Sequence, residues 1–133
     1  MAEFVMKHLA DKAGRADEFI IDSAATSTEE IGNDIHPGTR EKLQEEGIPY
    51  RSRGARQILP GDYDEYDLLV GMDDENMRYM RRCFGEDHAH KCRKLLEYCG
   101  LSRDVADPWF TGNFDATYDD VLAGCTAILK FYS

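Results

Sequence analysis

The chain has 133 residues, a usual length for one compact domain, and 42% of them are hydrophobic, which is enough to bury a core. Its formal charge of −10 argues against binding to nucleic acid or to an anionic membrane surface, because both select for clusters of lysine and arginine. The sequence shows no apolar run that could span a bilayer and no signal peptide, so we expect a cytoplasmic protein with four reduced cysteines.

The first predicted element is a helix over Met1–Ala13, which Gly14 would end. A short apolar run then leads into turn-forming residues, and this pattern predicts a buried parallel strand over Phe19–Asp22. A second helix is predicted over His36–Gly47, with Gly47 as its C-terminal cap.

The apolar run Tyr66–Met72 predicts another buried strand, and Asp73 would cap a helix that ends near Phe84. A third strand is predicted over Cys92–Tyr98. The last helix is expected from Asp115 to the C-terminus, with one apolar face formed by Tyr118, Val121, Leu122, Cys125, Ile128 and Leu129.

Helices alternate with short apolar strands along the whole chain. This order is typical of an α/β fold with an open parallel sheet and helices on both faces, and we expect a single domain over residues 1–133. In such folds ligands bind at the carboxyl ends of the strands, and the loop after a first strand often holds phosphate. Here the predicted elements begin with a helix.

Four segments, in this order and spacing, resemble the low-molecular-weight protein tyrosine phosphatase family. They are MAEFVMK at Met1–Lys7, IDSAATS at Ile21–Ser27, ARQI with YDLLVGMDDEN within Ala55–Asn76, and DPWFTGNF at Asp107–Phe114. The resemblance covers nearly the whole chain. It implies the low-molecular-weight phosphatase fold, hydrolysis of phosphotyrosine or another aryl phosphate, and no cofactor.

In that family a strand and a Cys-x5-Arg-Ser loop stand immediately before the segment that MAEFVMK matches. We therefore expect an N-terminally truncated domain without the first central strand and the phosphate loop. No cysteine of this chain has an arginine six positions later; those positions hold Ala89, Tyr98, Val105 and Phe131. The chain is accordingly predicted to be inactive by itself, and to self-associate through the strand edges that the missing strand would leave open.

The resemblance assigns the general acid to Asp107, because DPW matches the family's Asp-Pro-aromatic loop. Pro108 fixes its own φ and restricts the residue before it, so Asp107 would lie on a stiff turn. Trp109 and Phe110 are the implied aromatic walls around a phosphotyrosine ring.

Three more residues are carried over from the family pattern. Glu29 lies in the loop that supplies a third aromatic wall in many relatives, so that side of the pocket would differ here. Ser23 matches a serine that supports the thiolate of the cysteine loop. Arg53 takes the place of a histidine in the same network.

Three alternatives stand beside this interpretation, and the first two stay open. The chain is a non-catalytic module that binds or regulates a phosphotyrosine protein, or it is related to phosphoarginine phosphatases or arsenate reductases, although the aromatic pair after Asp107 favours an aryl phosphate. A zinc site is the third. Its spacing is irregular and no metal site is predicted from its four residues, Cys83, His88, His90 and Cys92.

Overall fold

A computed structural model of the chain describes residues 1–24, 37–50, 56–87, 89–106 and 114–132. The helices and strands of these ranges are α1 Ala2–Lys12, α2 Pro37–Glu45, α3 Asp62–Glu65, β1 Leu69–Gly71, α4 Asp74–Phe84, β2 Cys92–Lys94 and α5 Phe114–Phe131. Two 3₁₀ helices lie at Ala16–Glu18 and Leu95–Cys99. Within the described ranges, the helices are all too short or too polar to cross a bilayer.

Strands β1 and β2 pair in parallel, with Leu69 opposite Cys92 and Gly71 opposite Lys94. Side chains alternate across β1, so Leu69 packs with Met80 of α4 on one face of the sheet. Val70 points to the other face and packs against the main core, which α1 and α5 build. The predicted α/β class, a parallel sheet between helices, is confirmed.

Helix α4 begins at the predicted cap, since the carboxylate of Asp73 accepts the backbone N–H of Asn76 at 2.7 Å. Gly14 and Gly47 end α1 and α2 with φ of +70° and +69°, a conformation that favours glycine. The predicted first residue of α2, His36, lies outside the described residues. The apolar face of α5 is also confirmed, with Tyr118, Val121, Cys125 and Ile128 buried.

The predicted buried strand over Phe19–Asp22 is wrong. None of these residues belongs to a strand, and Ile20 is 90% exposed. Side chains hold the segment instead: the ring of Phe19 meets Tyr132 edge-on at 6.2 Å, and Asp22 pairs with Arg56 at 3.2 Å. An apolar run becomes a sheet strand only when a neighbouring strand supplies its hydrogen bonds, and the described residues give it none.

The predicted strand over Cys92–Tyr98 is only half right, because a 3₁₀ helix replaces it after Lys94. The Glu97 carboxylate accepts the backbone N–H of Lys94 at 3.3 Å and so starts the turn. Leu95 and Leu96 are each 1% exposed. A strand would send consecutive side chains to opposite faces, whereas the 3₁₀ turn buries both in one core.

Helix α5 packs closely on this 3₁₀ helix at Gly124. A Cβ placed on Gly124 would lie 2.7 Å from the Leu95 Cδ1 atom and closer still to Cγ. Leu95 is fully buried and has no room to move away. Glycine at this position therefore sets how near α5 lies to the sheet layer.

We predict that Gly124→Ala lowers the free energy of unfolding by about 1–2 kcal/mol, because the clash with Leu95 puts the overpacking cost in the upper part of its usual range, about 2–3 kcal/mol, against a gain in helix propensity of about 1 kcal/mol. Urea denaturation followed by circular dichroism measures the change. Ala123→Gly, on the exposed neighbouring position, isolates the propensity difference. If Gly124→Ala stabilised the chain by that same increment, the close packing would be disproved.

Candidate active site at the carboxyl end of the sheet

Only Ser23 of the predicted site residues falls within the described part of the chain. Its predicted role toward a cysteine loop remains a prediction. The other five lie outside the described residues: Glu29, Arg53, Asp107, Trp109 and Phe110. The geometry that the structure does give concerns the residues that lead up to these positions.

Ser23 is bound to the first turn of α1. Its hydroxyl donates to Glu3 Oε1 at 2.6 Å, and Lys7 Nζ donates to Glu3 Oε2 at 2.7 Å. The side chain of Glu3 is 2% exposed, so each hydrogen bond to its carboxylate offsets part of the cost of burying that charge. Glu3 thereby ties the segment before residue 25 to the start of α1.

The carboxyl end of β1 is joined to residue 105 through backbone groups. The N–H of Val105 donates to the carbonyl oxygen of Met72 at 2.9 Å, and the N–H of Met72 donates to Asn76 Oδ1 at 3.0 Å. Asn76 therefore both donates to the cap residue of α4 and accepts the N–H of Met72, the residue that holds Val105. Asp107, the predicted acid, follows Val105 by two positions.

The carboxyl end of β2 holds the same segment through Lys94. Its buried ammonium lies 2.9 Å from Asp74 Oδ1 and 3.0 Å from Asp104 Oδ1, and it donates to the carbonyl oxygen of Ser102 at 2.5 Å. The carboxylate of Asp74, and then that of Asp104, raises the pKa of Lys94. Lys94 thus stays charged and links β2, α4 and the 102–104 segment.

Helix α5 supplies the remaining contacts. Asp120 accepts hydrogen bonds from both terminal nitrogens of Arg103, at 2.7 and 2.8 Å, and from the backbone N–H of Ala106 at 2.9 Å. The hydrogen bonds from Arg103 are the main reason that the pKa of Asp120 is lowered. Thr117 Oγ1 donates to the carbonyl oxygen of Ala106 at 2.7 Å. Residues 103–106 are therefore fixed to the sheet on one side and to α5 on the other.

Sequence reasoning missed this framework. Its members, Glu3, Lys94, Asp104, Thr117 and Asp120, are ordinary polar residues with no motif of their own. One signal was present: Thr117 and Asp120 are three residues apart, which puts them on one face of a helix that follows the DPW segment. Which segment that face contacts depends on tertiary packing.

Three of the four cysteines lie in environments that favour the thiol over the nucleophilic thiolate. Burial raises the pKa of Cys83, that of Cys92 to about 11 and that of Cys125 to about 12. A nucleophilic cysteine needs the opposite shift, from a helix N-terminus or positive neighbours. Cys99 is exposed, at the C-terminal end of its 3₁₀ helix.

Other site types find less support among the described residues. They contain no cluster of three or more potential metal ligands, although His88 of the considered zinc set lies outside them. A cavity of about 540 Å³ opens between the end of α4 and the start of β2. It lies at the amino edge of the sheet, opposite the edge where parallel α/β folds bind ligands.

Comparisons with known proteins agree with the resemblance that the sequence segments showed. The sequence profile of the family described as low molecular weight phosphotyrosine protein phosphatase matches residues 1–131. The low molecular weight protein-tyrosine-phosphatase YfkJ of Bacillus subtilis is 37% identical over 131 residues, which make up 97% of this chain and 84% of YfkJ.

Solved structures agree with the profile. The crystal structure of YfkJ has a TM-score of 0.91 at 36% identity, covering 97% of this chain and 82% of that one. The low molecular weight protein tyrosine phosphatase SP-PTP from Streptococcus pyogenes has a TM-score of 0.87 at 34% identity, covering 99% and 83%. The drosophila arginine phosphatase DARP has a TM-score of 0.85 at 25% identity, covering 99% and 88%.

We predict that Ser23→Ala lowers the free energy of unfolding by about 1–3 kcal/mol, because the buried Glu3 carboxylate loses a donor. Ser102→Ala removes an exposed hydroxyl and serves as the control. In a Glu3→Gln background the cost of Ser23→Ala should shrink, which urea denaturation of the four variants of the cycle measures. Equal effects of Ser23→Ala and Ser102→Ala would contradict the bond to Glu3.

Proposed function

Because the chain belongs to the low molecular weight phosphotyrosine protein phosphatase family, we propose that it forms the acid and substrate-binding part of a site for aryl phosphate hydrolysis. Asp107 is the general acid that protonates the leaving phenolic oxygen. The observation that carries the proposal is the family match over residues 1–131, which includes the Asp107-Pro108-Trp109 segment.

The substrate contacts follow from the same match. Trp109 and Phe110 are proposed to stack on the aromatic ring of the substrate, and Glu29 to line the remaining side of the pocket. Ser23 and Arg53 are proposed to belong to the network that supports the attacking thiolate. Both backbone polar groups of Ala106 have hydrogen-bond partners, so the residue just before Asp107 is fixed in place.

In this proposal, the 133 residues do not supply the nucleophile. No cysteine has an arginine six positions later, and burial raises the thiol pKa of three of the four. These residues also contain no match to the family's Cys-x5-Arg-Ser loop. Without a thiolate and a cradle of amides and arginine, attack on phosphorus has neither a nucleophile nor anion stabilisation.

Phosphoarginine is a second candidate substrate, because one similar solved structure is named as an arginine phosphatase. The aromatic pair Trp109 and Phe110 favours the aryl ester. A non-catalytic role in binding a phosphotyrosine protein would use the same aromatic surface without turnover. Three measurements separate these roles: hydrolysis of p-nitrophenyl phosphate and of phosphoarginine by a chain extended with the family's strand and Cys-x5-Arg-Ser loop, and binding of a phosphotyrosine peptide to the 133-residue chain.

We predict that the 133-residue chain shows no cysteine-dependent hydrolysis of p-nitrophenyl phosphate, and that joining the family's strand and Cys-x5-Arg-Ser loop ahead of Met1 creates it. In the extended chain, Asp107→Asn should slow release of a poor leaving group by about 10²–10⁴-fold, because the leaving oxygen loses its proton donor. Steady-state rates with phenyl phosphate measure this effect.

Asp11→Asn, a charge-matched change on the exposed side of α1, is the control for that experiment. Turnover of the unextended chain that disappears when its four cysteines become serine would contradict the missing nucleophile. An extended chain whose rate is the same with Asp107→Asn would remove Asp107 from the acid role.

We further propose that the chain self-associates through open backbone edges. Two observations support it: the described sheet has two strands, and the extended segment next to Ile20 lies outside it with that side chain 90% exposed. Parallel strands at an open edge recruit a like edge from a second copy.

Sedimentation over a range of concentrations should therefore show a mass that rises above the monomer, and Ile20→Lys should lower it, because a charge on an edge opposes pairing. Leu59→Lys changes another exposed apolar side chain away from that segment and is the matched control. A monomer at every concentration, or equal effects of the two lysine variants, would refute association through this edge.

A further inference from the structure

Residues 103–106 are held by a set of contacts that converges on the position just before Asp107. From this arrangement we propose that Asp120 and Thr117 of α5 are positioning residues for the general acid: they fix the backbone of Ala106 and with it the point from which Asp107 begins. The inference rests on the proposed role of Asp107 and adds to it the residues that orient it.

Asp120 is the centre of the arrangement because each of its oxygens is used. Oδ1 accepts Arg103 Nη2 at 2.7 Å, while Oδ2 accepts Arg103 Nη1 at 2.8 Å and the N–H of Ala106 at 2.9 Å. Its side chain is 13% exposed and that of Arg103 is 56% exposed. A surface ion pair alone contributes little to stability. The effect of this pair is to orient the carboxylate toward Ala106.

Both backbone polar groups of Ala106 are bound to the same helix. Asp120 takes the N–H, and the hydroxyl of Thr117 donates to the carbonyl oxygen at 2.7 Å. Fixing the N–H and the C=O of one residue fixes its φ and ψ, because these are the only soft backbone torsions. The carbonyl of Ala106 belongs to the peptide bond that begins Asp107, so Thr117 controls the plane of that bond.

The opposite side of the segment is held by the sheet. Val105 donates its N–H to the Met72 carbonyl oxygen at 2.9 Å, and Asp104 is bound to Lys94 at 3.0 Å. Three consecutive residues thus have partners in β2, just after β1 and in α5. This is more restraint than a surface connection needs for stability, and it is what a catalytic group requires, since an error of about 1 Å in its place costs on the order of 10²-fold in rate.

Substitutions separate positioning from stability. Asp120→Asn keeps the volume but leaves one acceptor oxygen for three N–H donors. Thr117→Val keeps the buried shape and removes only the hydroxyl, so it is the variant that folds if Asp120→Asn does not. Asp119→Asn removes the same charge from the exposed neighbouring position and is the matched control.

The first test uses the 133-residue chain itself. Trp109 is its only tryptophan and follows Asp107 by two positions, so its fluorescence reports on that segment. We expect Asp120→Asn and Thr117→Val to change acrylamide quenching and to lower the anisotropy of Trp109, with the far-ultraviolet circular dichroism unchanged, and Asp119→Asn to change neither. Trp109 signals identical in all four proteins would overturn the proposal.

The second test uses the extended chain that tests the proposed function. Asp120→Asn should lower kcat by about 10²-fold for phenyl phosphate, and far less for 2,4-dinitrophenyl phosphate, whose leaving group needs no proton. KM should change little. Equal losses with both substrates would mean general destabilisation and would overturn the positioning role. If Asp107→Asn has no effect, the acid assignment fails; if it has its effect and neither Asp120→Asn nor Thr117→Val does, only the positioning inference fails.

Discussion

The close packing of helix α5 on Leu95 at Gly124 is the constraint on which the rest of the described structure depends. The absence of a side chain at Gly124 lets the helix lie directly against the buried 3₁₀ turn that continues β2. Helix α1 packs on the same helix, where the Cys125 thiol faces the carbonyl oxygen of Ala2 at 3.8 Å. The position of α5 therefore sets that of α1 and of the sheet layer together.

This packing determines the geometry of the candidate site. Thr117, Asp120 and Gly124 are spaced by three and four residues, so they lie along one face of α5. The contact at Gly124 consequently brings Asp120 and Thr117 to Ala106, one and two turns earlier in the helix. On the other flank, α1 carries Glu3, which holds Ser23. The two described segments that lead to the proposed site are thus held by helices that pack on each other.

Local chemistry could be predicted from the sequence, and long-range pairing could not. The cap at Asp73, the glycine ends of α1 and α2 and the apolar face of α5 follow from residues close in sequence, and all are as predicted. The segment Phe19–Asp22 reads as a strand because its composition is that of one, but strand formation depends on a partner elsewhere in the chain. The DPW motif indicated a general acid at Asp107 in the same local way, whereas its proposed support from Asp120 arises only from how α5 packs.

The contacts of Val105 and Ala106 make the chain just before Asp107 part of the rigid core rather than a surface connection. Amide hydrogen exchange of Val105 and Ala106, followed residue by residue by nuclear magnetic resonance in the intact chain, tests it most directly. We expect both amides to exchange only through global unfolding, with the same protection as Val121 and Cys125 in the buried face of α5. Exchange of Val105 and Ala106 through local opening, much faster than that of the two core amides, would contradict it.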